Sequence, residues 1–380
     1  MTPSARTLRF DRNEVSGAFG DLGTSLPLIV GLIAVANLDA TSVLVMFGVL
    51  QVVTGLVYRM PMPVQPLKAV AAIVIAQQVS ADVLYGGGLA IGMLMLLLVV
   101  TGSLDWLARV VPKVVVRGIQ CGLGLQLGRL AVANYIPSGG ASGYVLAAVA
   151  FAIVVALLGN RRVPPAPIVL ALGAAFALIV GGASAPAVAA LGVHLPVPHL
   201  PTMAAVASGF LLLAVPQISL SLGNSVLATK QMATDLFPER EPLTIRRIGF
   251  TYAMMNIVSP FLSGIPVCHG SGGMAGHYAF GGRTGGSVII AGVGLATLGL
   301  LFGGSIGQVA LLFPKPMLGV LLLMEGIAVL ALLRDLTDSP RDFALAMLLG
   351  VVAAGLPYGY LVALVGGTVL AKLDKTVAAR

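Results

Sequence analysis

Two short stretches of this 380-residue chain set polar residues beside residues that prohibit an ordinary helix. The first reads Met60-Pro61-Met62-Pro63-Val64-Gln65-Pro66-Leu67-Lys68. Its three prolines exclude a helix and favour extended backbone. Pro66 suits a helix entrance, so a helix is expected to start at Leu67. The second reads Pro266-Val267-Cys268-His269-Gly270-Ser271-Gly272-Gly273-Met274: extended, then glycine-rich, then a short helix. The N-terminus of each short helix offers free N–H groups and the positive end of a helix dipole, which together bind anions. Glycine lets an oxyanion approach the backbone closely. The candidate anion ligands are therefore Gln65, Pro66, Leu67 and Lys68 in one stretch, and Cys268, His269, Gly270, Ser271 and Gly272 in the other. The Gln65 amide can donate to an oxyanion, and Lys68 supplies a lone cation. His269 is read as a donor near the anion or as a residue locking the bend. Cys268 and His269 do not form a catalytic dyad, because adjacent residues in extended chain point opposite ways.

Polar residues recur elsewhere in apolar sequence. Gln217, Ser221 and Asn224 are spaced four and three apart, on one helical face. Such a stripe lines a cavity or hydrogen-bonds a neighbouring helix; the cavity is preferred here. Asp21 and Glu325 are acids deep in apolar segments. A carboxylate repels a dianion, so Asp21 is assigned to a coupling proton or to pairing with Lys68. Glu325 is assigned to coupling, with a structural hydrogen bond as the alternative. His277 and Tyr278 are expected to pack, and Arg283 to be a topological charge. His194 and His199 are expected to be solvated rather than metal ligands. No Gly-x-x-x-x-Gly-Lys-Ser/Thr loop occurs, so ATP drive within the chain is not expected. Cys121 and Cys268 make neither a disulfide framework nor a metal cluster. No cofactor and no catalytic residue is assigned.

The composition says what kind of element holds these residues. Hydrophobic residues make up 58% of the chain and charged residues 9%, and the mean hydropathy is +1.00. A soluble chain carries about 25% charged residues. A soluble enzyme, a disordered chain and a disulfide scaffold are thereby excluded, leaving an all-α polytopic membrane protein. Seven apolar segments precede Ala183 and seven more follow Ala207. The expected organisation is a first unit over residues 1–182, a charge-free periplasmic linker over 183–207, and a second unit over 208–380. With a cytoplasmic N-terminus, all 22 basic residues except Lys68, Arg129 and Lys315 fall on the cytoplasmic side, as the positive-inside rule requires. Both termini are then cytoplasmic, in the inner membrane. The net charge of +8 is topological and calls for no nucleic-acid partner. No cleavable signal peptide is expected, because the first apolar run follows a polar start and continues as a full span. A shift of 203 residues lays Gly20-Asp21 on Gly223-Asn224 and Pro63-Val64 on Pro266-Val267, and a shift of 202 lays Pro112-Lys113 on Pro314-Lys315. An odd number of spans inverts the second copy. The third and tenth segments then enter from opposite sides, and their helix N-termini face each other near the midplane.

Three motifs carry a resemblance. They are Gly17-Ala18-Phe19-Gly20-Asp21-Leu22-Gly23-Thr24, the proline stretch Pro61 to Lys68, and Pro266 to Gly273 followed by Tyr278-Ala279-Phe280-Gly281-Gly282-Arg283. In order and type they resemble the molybdate transporter type 1 family, related to the SulP sulfate transporters. The resemblance covers the whole membrane portion. It implies a fourteen-helix, seven-plus-seven inverted repeat with core and gate domains, like the uracil and bicarbonate transporters. It also implies a tetrahedral oxyanion substrate, molybdate or sulfate. One departure from SulP proteins is expected: no STAS domain follows the last span, so regulation or dimerisation through such a domain is not expected. A homodimer remains compatible with the sequence. The function expected is secondary active, proton-coupled transport of the oxyanion by alternating access. Its rivals are a sulfate-selective carrier, a nucleobase permease of the same fold, a channel and a membrane enzyme. A nucleobase site would want carboxylates to accept N–H groups, where this chain offers glycine, serine and histidine.

Overall fold

In a computed structural model, residues 7–157, 165–179, 192–356 and 359–378 are described. Among the described residues, the regular elements are helices except for one two-stranded crossing. In order it runs α1 (Arg12–Ala18), α2 (Leu22–Ala36), α3 (Ala40–Tyr58), β1 (Gln65–Pro66), α4 (Lys68–Gln77), α5 (Ala81–Val100), α6 (Ser103–Val110), α7 (Lys113–Leu130), α8 (Gly140–Ala156) and α9 (Pro165–Ile179). The second part runs α10 (Met203–Gly209), α11 (Val215–Leu220), α12 (Ala228–Leu236), α13 (Ile245–Val258), β2 (Val267–Cys268), α14 (Ser271–Ala279), α15 (Gly286–Leu312), α16 (Lys315–Leu330), α17 (Pro340–Gly355) and α18 (Gly359–Ala378). Wide π-helical turns at Phe210–Ala214 and Ser221–Leu227 join α10, α11 and α12. The short helices α4 and α14 begin at residues 68 and 271, an offset of 203.

Among the described residues, three helices are long and apolar enough to cross a membrane alone: Ala40–Tyr58, Ala81–Val100 and Gly286–Gly307. A bent pair, Met203–Ile218 and Ser221–Leu236, turns by 44° and passes the same test only when its two helices are taken together. The first span expected from sequence, from Gly17 to Ala36, is instead broken in two. At the break Gly20 passes against α14, where a side chain would collide with the backbone of Gly276. The break also moves Asp21. It is not a turn inside the helix but the residue that precedes α2.

Two packing groups are evident. α3 lies along α15, and α5 lies along α13 and α10. In the second group α7 packs against α16, α17 and α18, with α8 beside α16. The α3–α15 pair approaches to backbone contact at Gly48 and Gly292, the close approach small residues permit in membranes. The half-helix α4 is enclosed by α2, α7 and α11, with Ala69 through Ile75 all 2% exposed or less.

Sequence from residue 183 to 191 lies outside the described residues. Residues 192–202 run extended, and Thr202 then caps α10 by accepting from the Ala205 amide at 3.1 Å. His199, expected to be solvated, pairs instead with Asp82 at 3.0 Å and lies against the Tyr85 ring at 4.7 Å.

The polar start of the chain holds a structural carboxylate that the sequence did not single out. Glu14 on α1 is 1% exposed. It accepts from the amides of Arg283 at 3.0 Å, Thr284 at 2.8 Å and Ser287 at 2.9 Å. These are the donors at the entrance of α15, where a negative charge also meets the helix dipole. Glu14→Ala should lower the thermal midpoint in detergent, since each amide left without an acceptor costs about 1–3 kcal/mol. Glu14→Gln keeps one acceptor oxygen and should lose less.

Candidate functional site

The two proline- and glycine-bearing stretches meet. β1 and β2 pair antiparallel, with Gln65 opposite Cys268 and Pro66 opposite Val267. The Leu67 amide donates to the Pro266 carbonyl at 3.1 Å. Extended backbone at this depth needs internal partners for its polar groups, and carboxamides on two long helices provide them. Gln51 of α3 donates to the Val64 carbonyl at 3.5 Å and accepts its amide at 3.3 Å. Asn256 of α13 does the same for Val267, at 2.7 Å and 2.9 Å. One turn on, Thr54 donates to the Met62 carbonyl and Ser259 to the Ile265 carbonyl, both at 3.0 Å. The clamp is thus built twice, once per half. Sequence reading missed all four residues. Their signal was a pair of lone polar residues, three apart, in each of two matching apolar spans.

From this crossing the half-helices leave, and side chains gather at their starts. Asp21 is 4% exposed. Its Oδ1 accepts from the Gln65 amide at 2.5 Å, and its Oδ2 accepts from the Ser25 hydroxyl at 3.1 Å. Gly270 and Gly273 both abut the Gln65 carboxamide, and Gly273 also abuts the Asp21 carboxylate. Lys68 is the first residue of α4 and is half-buried. Gln217 reaches across from α11, accepting from the α4 amides of Ala69 at 3.0 Å and Val70 at 3.3 Å. Its own amide donates to the Ser221 hydroxyl at 3.2 Å, which bonds the Tyr252 hydroxyl at 2.7 Å.

Several expectations change here. Gln217 and Ser221, expected to line a cavity, have side-chain partners in this structure. Both are buried in a closed chain of hydrogen bonds that caps α4. The α4 N-terminus is consequently occupied by a side chain, while the cap residue of α14 is Gly270, which has no side chain to offer. Both ring nitrogens of His269 have protein partners: Pro63 O lies 3.2 Å from its Nδ1 and Thr251 Oγ1 2.8 Å from its Nε2. Cys268 is a buried free thiol, with Ser225 as its hydrogen-bond partner. Pro66 and Leu67 contribute backbone only, buried in the crossing. At the α14 entrance, Ser271 is half-buried and Gly272 is exposed. The side chains of Asn224 and Glu325 lie outside the described residues.

A sequence model described as "Molybdate transporter of MFS superfamily" matches residues 13–127 and 209–329. The chain belongs to this molybdate transporter family. It is 32% identical to molybdate transporter 2 of Arabidopsis thaliana, over 90% of this chain and 83% of that protein. The transmembrane domain of the cyanobacterial bicarbonate transporter BicA shares the fold, with a TM-score of 0.66 and 16% identity over 91% of this chain and 97% of that one. So does the murine anion transporter Slc26a9 in its inward-facing state, with a TM-score of 0.71 and 14% identity over 98% and 70%. The family member described here is accordingly an all-α, multi-pass membrane protein, and a transporter rather than an enzyme.

Proposed function

We propose that the chain is a secondary active carrier of molybdate, with sulfate as a weaker substrate. The oxyanion would bind at the entrance of α14, on the amides of Ser271 and Gly272, facing Lys68 and the Gln65 strand. The observation that carries this reading is the antiparallel crossing, which sets the glycine-capped N-terminus of α14 beside the start of α4. The substrate itself comes from the family. Relatives named as molybdate transporters over most of both chains support it.

The twice-built clamp and the matching starts of α4 and α14 support an inverted repeat of seven plus seven spans. In that arrangement the group holding α3, α5, α13 and α15 is the core. The group holding α7, α8, α16, α17 and α18 is the gate, and alternating access moves one against the other. The charge distribution supports cytoplasmic termini in an inner membrane. A dianion entering a negative-inside cell is opposed by about 2.3 kcal/mol per charge per 100 mV. A proton is the co-substrate we assign, with Asp21 and Glu325 as its carriers.

Uptake into proteoliposomes tests this. Labelled molybdate should enter faster with an inward proton gradient, sulfate should compete weakly, and uracil should not enter. Uracil uptake without oxyanion uptake would replace the reading by a nucleobase permease of the same fold. Sulfate outcompeting molybdate would make the carrier sulfate-selective.

A further inference from the structure

One buried polar side chain has no place in the site above. His277 on α14 is fully buried. Neither of its ring nitrogens has a hydrogen-bond partner among the described residues. The Gly17 carbonyl lies near the ring but outside hydrogen-bonding geometry. Interiors satisfy imidazole nitrogens with protein or water as a rule. His277 borders a small cavity of about 10 Å³, room for a single water molecule, that Asp21, Ser25 and Gln51 also line. Two of these reach the substrate strand: Asp21 holds the Gln65 side chain and Gln51 holds the Val64 backbone.

We propose that this pocket is a proton-binding site, in which His277 and Asp21 share a proton through a water molecule lodged between them. The inference rests on the carrier reading and extends it to where the coupling proton sits. The proton arrives from bulk water and binds a nitrogen of the neutral imidazole. The imidazolium so formed faces the Asp21 carboxylate, and the same proton returns to water on the other side of the membrane. Coupling follows from charge. Asp21 is one hydrogen bond from Gln65, so its negative charge opposes an anion at the strand crossing. A proton in the pocket cancels that charge and favours the anion, and by reciprocity the anion favours the proton.

No other lining residue of the pocket is charged. α15 carries no titratable residue, and α3 carries only Tyr58 at its far end. On elements packed against α14, α1 carries Arg12 and Glu14, the latter committed to the α15 amides, and α12 carries Lys230 and Asp235. Across the crossing stand Lys68 and Cys268. On α14 itself Tyr278 lies under the Arg283 guanidinium at 3.6 Å.

The test uses purified protein in vesicles carrying an internal pH indicator. Two readouts are taken: molybdate accumulation with its proton entry under an inward gradient, and counterflow of labelled against internal molybdate without one. His277→Gln and His277→Asn should each reduce accumulation and proton entry about tenfold or more, within the range of coupling between sites. Counterflow should persist at saturating molybdate, with a raised half-saturation because the Asp21 charge is no longer cancelled. Either variant accumulating molybdate with wild-type proton entry overturns the proposal. Loss of counterflow as well, in both variants and in monodisperse protein, makes His277 a packing residue and overturns it too. Wild-type molybdate uptake without proton entry removes the proton site and leaves the carrier standing. Absence of any oxyanion uptake removes the carrier reading, and the pocket's role with it.

Discussion

Gln217→Glu should yield a carrier that folds normally and binds its oxyanion poorly. The wild-type side chain caps α4 through one oxygen, which accepts from Ala69 and Val70. A carboxylate can keep both bonds, and negative charge is favoured at a helix N-terminus. The donation to Ser221 is lost, at a cost of about 1 kcal/mol. The field at the anion site changes far more. Two unit charges about 6 Å apart repel by roughly 3 kcal/mol at an effective dielectric of about 20, and a dianion doubles that. With 1.4 kcal/mol per factor of ten, affinity should fall by at least about 100-fold. Gln217→Leu separates the two roles from the other side. It leaves two buried amides without acceptors, at about 1–3 kcal/mol each, so it should lose thermal stability first. Calorimetric titration of molybdate and thermal unfolding, run on both variants in detergent, read the two effects separately. Wild-type affinity in Gln217→Glu would place the anion away from the α4 terminus.

The backbone of the site was readable from sequence because its causes are local. Prolines at 61, 63 and 66 forbid a helix wherever they stand, and α4 starts at Lys68, one residue later than expected. The glycines after His269 gave a second short helix, Ser271–Ala279, where the sequence placed one. Side-chain partners were not readable, because periodicity gives a face and not what lies across from it. Gln65 looked like a ligand and binds Asp21, 44 residues away. Gln217 looked like a cavity wall and caps a helix 148 residues away. Gln51 and Asn256 looked like isolated polar residues in apolar spans until the crossing strands gave them a task. Glu14 sat in a polar start that any membrane protein has, and only the tertiary fold brings the entrance of α15 onto it. In each case a buried polar group has found one specific partner, which the cost of leaving it unpaired demands.

Gly270→Ala and Gly272→Ala, two residues apart, should fail in different ways. Gly270 is extended, at φ −127° and ψ 124°, so alanine is conformationally allowed there. Its Cβ, however, would occupy the space of the Gln65 carboxamide. Gln65 would have to swing away, giving up its 2.5 Å bond to Asp21. Misplacing a positioning group by about 1 Å can cost 100-fold in rate, and uptake should fall by about that factor. Gly272 differs in every respect that matters. It is exposed in the first turn of α14, and a Cβ there meets no atom within 4 Å. Alanine suits a helix better than glycine by up to about 1 kcal/mol, so stability should hold or rise slightly. Any loss of transport by Gly272→Ala must then come from the substrate's side of that turn. The Michaelis constant for molybdate should rise in the order Gly272, alanine, valine, with the thermal midpoint unchanged. A valine variant with the wild-type constant would remove the α14 entrance from the binding site. Normal uptake by Gly270→Ala would show that the contact between Gln65 and Asp21 is dispensable. Because one substitution acts through a neighbouring side chain and the other through open space, the pair distinguishes a site built on the crossing from one built on the helix terminus.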